Sequence, residues 1–408
     1  MLNWEIYEDK FDRSRIEING SKFLLANGYM GCRGTMEEFS KEQFVAFTLA
    51  GVYDRYGKGW REPLNAPNGF FTRTYCNGEL LSVLTSDVLK HNQILDLRNA
   101  NHIRETQFKT SAGTHVMIRS ERFLSISNVH LACMKYTIKC SKDSTILIET
   151  GIDADVWDIS GPHLEKFKFG SEDDILSVSC LTHESGCQLA VAESAVMPPA
   201  SCEIVENGLS IVRRISIETK ADLEYSILKY VSVFTGNDNI TNPMQHAKKL
   251  CKESHEIGYD SLRKANSALW SERWNMSDVR VQGDDMAQLA LRYSIYQLLA
   301  AAPFHSDSLS IPARGLSSQV YKGAIFWDTE IFMLPFFIYT NPKVAKSLIK
   351  YRIRTLDGAR RKADEYGFKG AYYAWESQEA GDDACPDFVF IDVFTGRPMR
   401  NHFRDKQI

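Results

Sequence analysis

The chain has 408 residues, with 48 Lys or Arg against 52 Asp or Glu for a formal charge of −4, and it is 44% hydrophobic and 25% charged. That balance argues against a basic nucleic-acid binder and against a disordered chain. A single core rarely grows past about 250 to 300 residues, so two or three domains are expected.

The opening segment, Met1-Leu-Asn-Trp-Glu-Ile-Tyr-Glu-Asp-Lys10, carries three acidic side chains and no apolar run, so it reads as neither a signal peptide nor a membrane span. From there to Thr241, short β-branched segments recur at Val129 to Ile138, Thr145 to Ile148, Ile175 to Val178 and Leu209 to Ile217. The last follows Asn207-Gly208, a pair suited to a tight hairpin. These strands, broken by Gly, Asn, Asp and Ser clusters, predict an antiparallel β-sandwich over residues 1–241. Inside it, Gly28-Tyr-Met-Gly31-Cys-Arg-Gly34 superficially matches a dinucleotide-binding fingerprint. Without a βαβ unit around it, the run reads as tight turns between strands, and no cofactor is expected. Nine cysteines without a CxxC pair read as reduced structural thiols, and no metal site is expected.

At Asn242-Pro243 the pattern turns helical, with Asn242 as a cap and Met244 to Trp274 as a helical linker, residues 242–282. Gly283-Asp284-Asp285 opens the next helix, which places Met286, Leu289, Tyr293, Tyr296 and Ala300 on one face and ends before Pro303. Asn341-Pro342 repeats the cap-plus-proline signature and predicts a helix from Lys343 to about Glu365, stopped at Gly367. Residues 283–408 therefore read as helical with long loops. The longest apolar stretch, Ile331 to Tyr339, is interrupted by Pro335 and too short to cross a bilayer, so a cytoplasmic protein with no membrane partner is expected.

Two of those loops concentrate aromatics and carboxylates. Ile325-Phe-Trp-Asp-Thr-Glu330 sets an indole beside one carboxylate and near another, and Tyr372-Tyr-Ala-Trp-Glu-Ser377 repeats the pairing, with Glu379, Asp382, Asp383 and Asp387 close behind. A sugar ring packs its C–H face on an aromatic plane while a carboxylate accepts bonds from neighbouring hydroxyls, which makes Trp327, Asp328, Trp375 and Glu376 candidate substrate-binding residues. The competing account makes Trp327 and Trp375 core residues at helix starts and Asp328 or Glu330 a cap. Glycosidic bond cleavage needs a carboxylic acid for the leaving oxygen, and the clustered candidates are Asp328, Glu330, Glu376 and Glu379. Arg314, Lys322 and Lys369 are the nearby cations that phosphate would require. His305 and His402 read as structural, and no HExxH, GxSxG or P-loop motif appears.

Phe23-Leu-Leu-Ala-Asn-Gly-Tyr-Met-Gly-Cys-Arg-Gly34, Leu49-Ala-Gly-Val-Tyr-Asp54 and Glu121-Arg-Phe123 resemble the N-terminal sandwich of glycoside hydrolase family 65. Ile311-Pro-Ala-Arg-Gly-Leu316, Gly323-Ala-Ile-Phe-Trp-Asp-Thr-Glu330 and Gly370-Ala-Tyr-Tyr-Ala-Trp-Glu-Ser377 resemble the first loops of that family's (α/α)6 barrel. The resemblance implies a multidomain α+β protein with an antiparallel super-sandwich, a helical linker and a catalytic barrel. It also implies an inverting phosphorylase that converts kojibiose, maltose, trehalose or nigerose and inorganic phosphate into β-glucose 1-phosphate and glucose, with no cofactor. By the same resemblance Trp327 and Asp328 bind the glucose whose bond is cleaved, and Trp375 and Glu376 shape its acceptor side. Family members often carry His where this chain has Ala324. The family's general acid, a Glu in a Gly-Pro-Asp-Glu-Tyr-type segment, has no counterpart here, and too few residues follow Gln282 for a whole barrel. The run from Arg400 to Ile408 resembles the interior of a longer segment. A truncated phosphorylase, inactive alone and associating as a homodimer or with a complementing C-terminal chain, is the expectation. A non-catalytic carbohydrate-binding remnant and a fragment of a trehalose hydrolase are the alternatives.

Overall fold

A computed structural model describes residues 4–401 and 404. Among these, strands dominate the chain as far as Thr235 and helices follow. The largest sheet is nine-stranded and antiparallel, in the order Glu5–Glu8, Asp87–Asp96, Asn101–Lys109, His115–Leu124, Leu131–Cys140, Glu224–Thr235, Gln188–Val196, Ile175–Thr182 and Leu164–Glu172. A five-stranded sheet runs Ser201–Asn207, Ser210–Thr219, Ser144–Asp153, Thr72–Cys76 and Glu79–Leu81. A smaller one holds Leu25–Ala26, Met30–Cys32, Phe47–Arg55 and Arg61–Asn65. Alternation sets the register: in Ser144–Asp153 the side chains of Ile146 and Ile148 are buried while Thr145 is exposed, so a one-residue slip would turn the apolar set to water. The Asn207-Gly208 turn forms as expected, with Gly208 at φ 60 and Asn207 paired to Ser210.

Within the Gly28 to Gly34 run, Gly28 lies at a turn while Gly31 sits inside the strand Met30–Cys32. Gly28, at φ 86, turns the chain between Leu25–Ala26 and Met30–Cys32, and a Cβ there would meet the carbonyl oxygen of Ala302 at 2.2 Å. The turn is thus wedged against the helical part of the chain, where only glycine fits.

Seven helices are described, α1 (Ile16–Lys22), α2 (Pro243–Ile257), α3 (Tyr259–Ser277), α4 (Asp285–Ala301), α5 (Leu334–Thr340), α6 (Pro342–Arg354) and α7 (Leu356–Glu365). Asn242, Asp284 and Asn341 cap α2, α4 and α6 through their side-chain oxygens. Three sequence expectations need correction. The linker breaks at Gly258, whose φ of 84 ends α2 and lets α3 take a new direction. In α4, Met286 is 75% exposed, and the buried stripe runs through Gln288, Arg292, Ile295, Tyr296 and Leu299. The single helix expected from Lys343 to Glu365 is two, split at Thr355, where the hydroxyl bonds the Tyr351 carbonyl at 2.8 Å and the loop at Ala380-Gly381 packs against Gly358. A short hairpin, Phe388–Ile391 with Pro398–Arg400, also went unanticipated.

The larger of two apolar core clusters passes from Phe47 and Phe108 in the sheets through Trp270 of α3 and Tyr296 of α4 to Leu348 of α6. The sheets and helices therefore share their buried surface. Beyond it, Ile331, Phe332 and Tyr339 remain 59%, 71% and 86% exposed. None of the described helices is long and apolar enough to cross a membrane. His402, and all but Arg400, Asn401 and Arg404 of the run to Ile408, lie outside the described residues.

Candidate functional site

The two aromatic and acidic loops are clasped by backbone. Ile325 N–H bonds the Ser377 carbonyl at 2.8 Å and Ser377 N–H returns to Ile325 at 3.0 Å, an antiparallel bridge that sets the residues after each side by side. Just before it, Tyr321 and Lys322 adopt left-handed backbone, φ 57 and 56, a conformation non-glycine residues hold at a cost and often at functional sites. That turn directs Lys322 Nζ onto Glu376 Oε2 at 2.6 Å. Just after the bridge, the Thr329 hydroxyl donates to the Ile311 carbonyl at 2.9 Å and anchors the helical turn Thr329–Met333 that leads into α5.

Trp327 and Trp375 come together, ring centroids 5.4 Å apart and tilted by 49°, with Phe326 edge-on to Trp375. Neither is a core residue: Trp327 is half-buried and Trp375 is 37% exposed. Asp328 stands at the N-cap position of Thr329–Met333 but makes no capping bond, and its half-buried carboxylate has no partner among the described residues. Glu330 Oε2 takes a bond from Arg352 at 2.7 Å, while Oε1 is buried and unpartnered. A cavity of about 480 Å³ is lined by Trp327, Glu330, Arg352, Tyr372 and Tyr373. Its chemistry is an aromatic wall, open acceptor oxygens and a guanidinium, the complement of a polyhydroxylated ring.

Sequence reasoning missed Arg352. It projects from the last turn of α6 and also bonds the Phe326 carbonyl and the Ser377 hydroxyl, each at 2.9 Å, so it ties both loops to the helix. Nothing in the sequence distinguishes it from Arg354 two positions on, which is exposed. Of the other carboxylates, Asp382 pairs with Arg361, Asp383 with Lys362 at 2.9 Å, and Asp387 with Arg404, whereas exposed Glu379 lines a separate cleft with Tyr53 and Arg354. Arg314 and Lys369 are exposed. His305 packs on Tyr29 with centroids 5.7 Å apart, and burial and the neighbouring His130 push its pKa down to about 4, as befits a structural ring. All nine cysteines are free thiols.

The N-terminal sheets also reach the site. Tyr53 Oη donates to the Gly323 carbonyl at 2.8 Å, Gln319 Nε2 to the Pro63 carbonyl at 2.9 Å, and Gln378 Nε2 to the carbonyls of Arg61 and Lys322 at 2.9 and 2.6 Å. Beneath these contacts lies a buried cluster. His163 Nδ1 faces Asp54 at 3.1 Å and Nε2 faces Glu62 at 2.9 Å, with Asp158 near enough that Glu62, Asp158 and His163 present ligand-type atoms within 4.8 Å of one another. These atoms are engaged with each other and with Gln319, Trp60 and Ser160.

The profile of the glycosyl hydrolase family 65 N-terminal domain matches residues 6–273, and that of the family 65 central catalytic domain matches residues 292–406. The chain belongs to glycosyl hydrolase family 65. The family 65 relatives include the nigerose phosphorylase of Lachnoclostridium phytofermentans, 43% identical over 100% of this chain and 57% of that protein. The 1,2-alpha-glucosylglycerol phosphorylase of Bacillus selenitireducens is 36% identical over 99% of this chain and 53% of its own length. A solved structure from the human microbiome assigned as a kojibiose phosphorylase shares the fold with a TM-score of 0.87 at 24% identity, covering 94% of this chain and 53% of that one. The chain thus spans about half the length of the curated relatives it matches.

Proposed function

We propose that this family 65 chain holds the glucosyl unit of an α-linked disaccharide and forms part of an inverting phosphorylase that uses inorganic phosphate to give β-glucose 1-phosphate and glucose. The observation that carries the reading is the pairing of Trp327 with Trp375 beside the open carboxylate of Asp328. In this reading the indoles pack on the pyranose, Asp328 accepts from its hydroxyls, and Glu376, set by Lys322, accepts on the acceptor side. Residues 1–241 form the sandwich, 242–282 the linker and 283–408 the first part of an (α/α)6 barrel. The nine free thiols support a cytoplasmic setting.

The chain by itself binds without turning over. Glu330 and Glu376 are each held by a cation, which suits an acceptor of hydroxyl hydrogens rather than a proton donor to a leaving oxygen, and no Gly-Pro-Asp-Glu-Tyr-type segment occurs in the sequence. Calorimetric titration with glucose is expected to show millimolar or tighter binding that Trp327→Ala abolishes; a chain that takes up no glucose refutes the reading. Incubation with nigerose, kojibiose, maltose or trehalose and phosphate is expected to release no glucose 1-phosphate, and its appearance would assign the acid to a carboxylate in this chain.

A further inference from the structure

The turn between the strands Phe47–Arg55 and Arg61–Asn65 carries an exposed aromatic whose place is hard to explain as packing. Trp60 is 47% exposed, yet its ring is pinned, because Nε1–H donates to Glu62 Oε2 at 3.0 Å and Glu62 belongs to the buried His163 cluster. The strands behind it are held against the catalytic loops by Tyr53 on Gly323 and by Gln378 on Arg61. The pinned indole lines a cavity of about 530 Å³ together with Lys322, Gln378, Ala380 and Asp382 to Asp387. That volume falls within the range of about 300 to 1,000 Å³ typical of small-molecule sites.

Two further features describe what the cavity would take. Its charges are largely matched within the protein: Arg55 and Arg61 pair with Glu184, and Arg404 with Asp387. An ionic ligand gains little there, while a neutral polyol finds an aromatic face with hydroxyl donors and acceptors on both sides. The cavity is also one ion pair from the tryptophan pair, since Lys322 lines it and donates to Glu376, the neighbour of Trp375.

We propose that the sandwich turn carrying Trp60 forms the wall of a second sugar subsite, which takes the neutral hexose or polyol on the far side of the bond from the unit at Trp327. The proposal rests on the glucosyl-holding reading above and deepens it: a non-catalytic domain shapes which acceptor the site accepts. The Trp60 face stacks on the second ring, and Lys322 and Gln378 define the opposite side.

The test is titration of the chain with glucose and with nigerose. Trp60→Ala is expected to weaken nigerose binding tenfold or more while leaving glucose affinity within twofold, and Trp60→Phe is expected to restore most of the loss. A purely structural Trp60 would change both ligands together, and equal loss for both overturns the proposal. Unchanged nigerose affinity in Trp60→Ala overturns it as well, with the glucosyl reading left intact. If the unaltered chain binds neither sugar, the glucosyl reading fails first and this inference falls with it.

Discussion

His163 sits between carboxylates in a buried place. Burial disfavours the charge, but the bond to Glu62, the nearby charge of Asp158 and the bond to Asp54 outweigh it, and its pKa lies above the ordinary 6.5. The Asp158 pKa also lies above the ordinary carboxylate value, because burial exceeds the help from His163 and the Gln319 amide. A group that gains proton affinity on folding stabilises the fold fully below its unfolded pKa, and the gain is lost as pH rises through the folded value. The melting temperature is therefore expected to fall from pH 6 upward by an amount that His163→Gln removes. A variant with the same pH slope as the parent would show that the cluster does not titrate in this window. Single residues were unequally visible in the sequence. Trp327 and Trp375 stood out because indoles beside carboxylates are rare and chemically pointed, whereas Arg352 meets Glu330 22 positions away and His163 meets Glu62 101 positions away.

Helices α2 and α3 show what decides an element's limits. The segment from Met244 to Trp274 is rich in Ala, Leu, Lys and Glu apart from Gly258, so it reads as a helical linker, and the positive φ at Gly258 divides it into two helices. The second helix earns its place through one side chain: Trp270 is fully buried, stacked on Tyr296 of α4 with centroids 5.4 Å apart and flanked by Arg273. Truncating a buried Trp costs about 3 to 5 kcal/mol. Trp270→Ala is expected to lose that much stability in urea unfolding, and a loss below about 1 kcal/mol would mean that α3 is not integral to the shared core. The break at Thr355 is a similar case, since α7 turns away to let the Gly381 loop pass beside Gly358, a constraint from a segment distant in sequence.

For the molecule as a whole, the site is a product of docking. Gln378, 7% exposed, bridges Arg61 of the N-terminal sheets and Lys322 of the loop before Trp327 with one amide. Gln378→Ala leaves two carbonyls without that donor, and an unmet buried polar group costs about 1 to 3 kcal/mol. The variant is expected to lose stability in that range and also to bind nigerose more weakly, as the turn carrying Trp60 loosens; intact sugar affinity in a destabilised variant would show that docking and binding are independent. The sequence alone determined that there would be a strand-rich region followed by helices, where the capped helices begin, and which two loops concentrate tryptophans and carboxylates, because period-2 alternation, side-chain caps and Trp–carboxylate pairs are local signals. It could not determine that Trp60 and the His163 cluster come near those loops, or that sheets and helices share buried apolar clusters. Such contacts form between residues 109 to 317 positions apart, as when Tyr53 meets Gly323, and only the packed fold brings them within bonding distance.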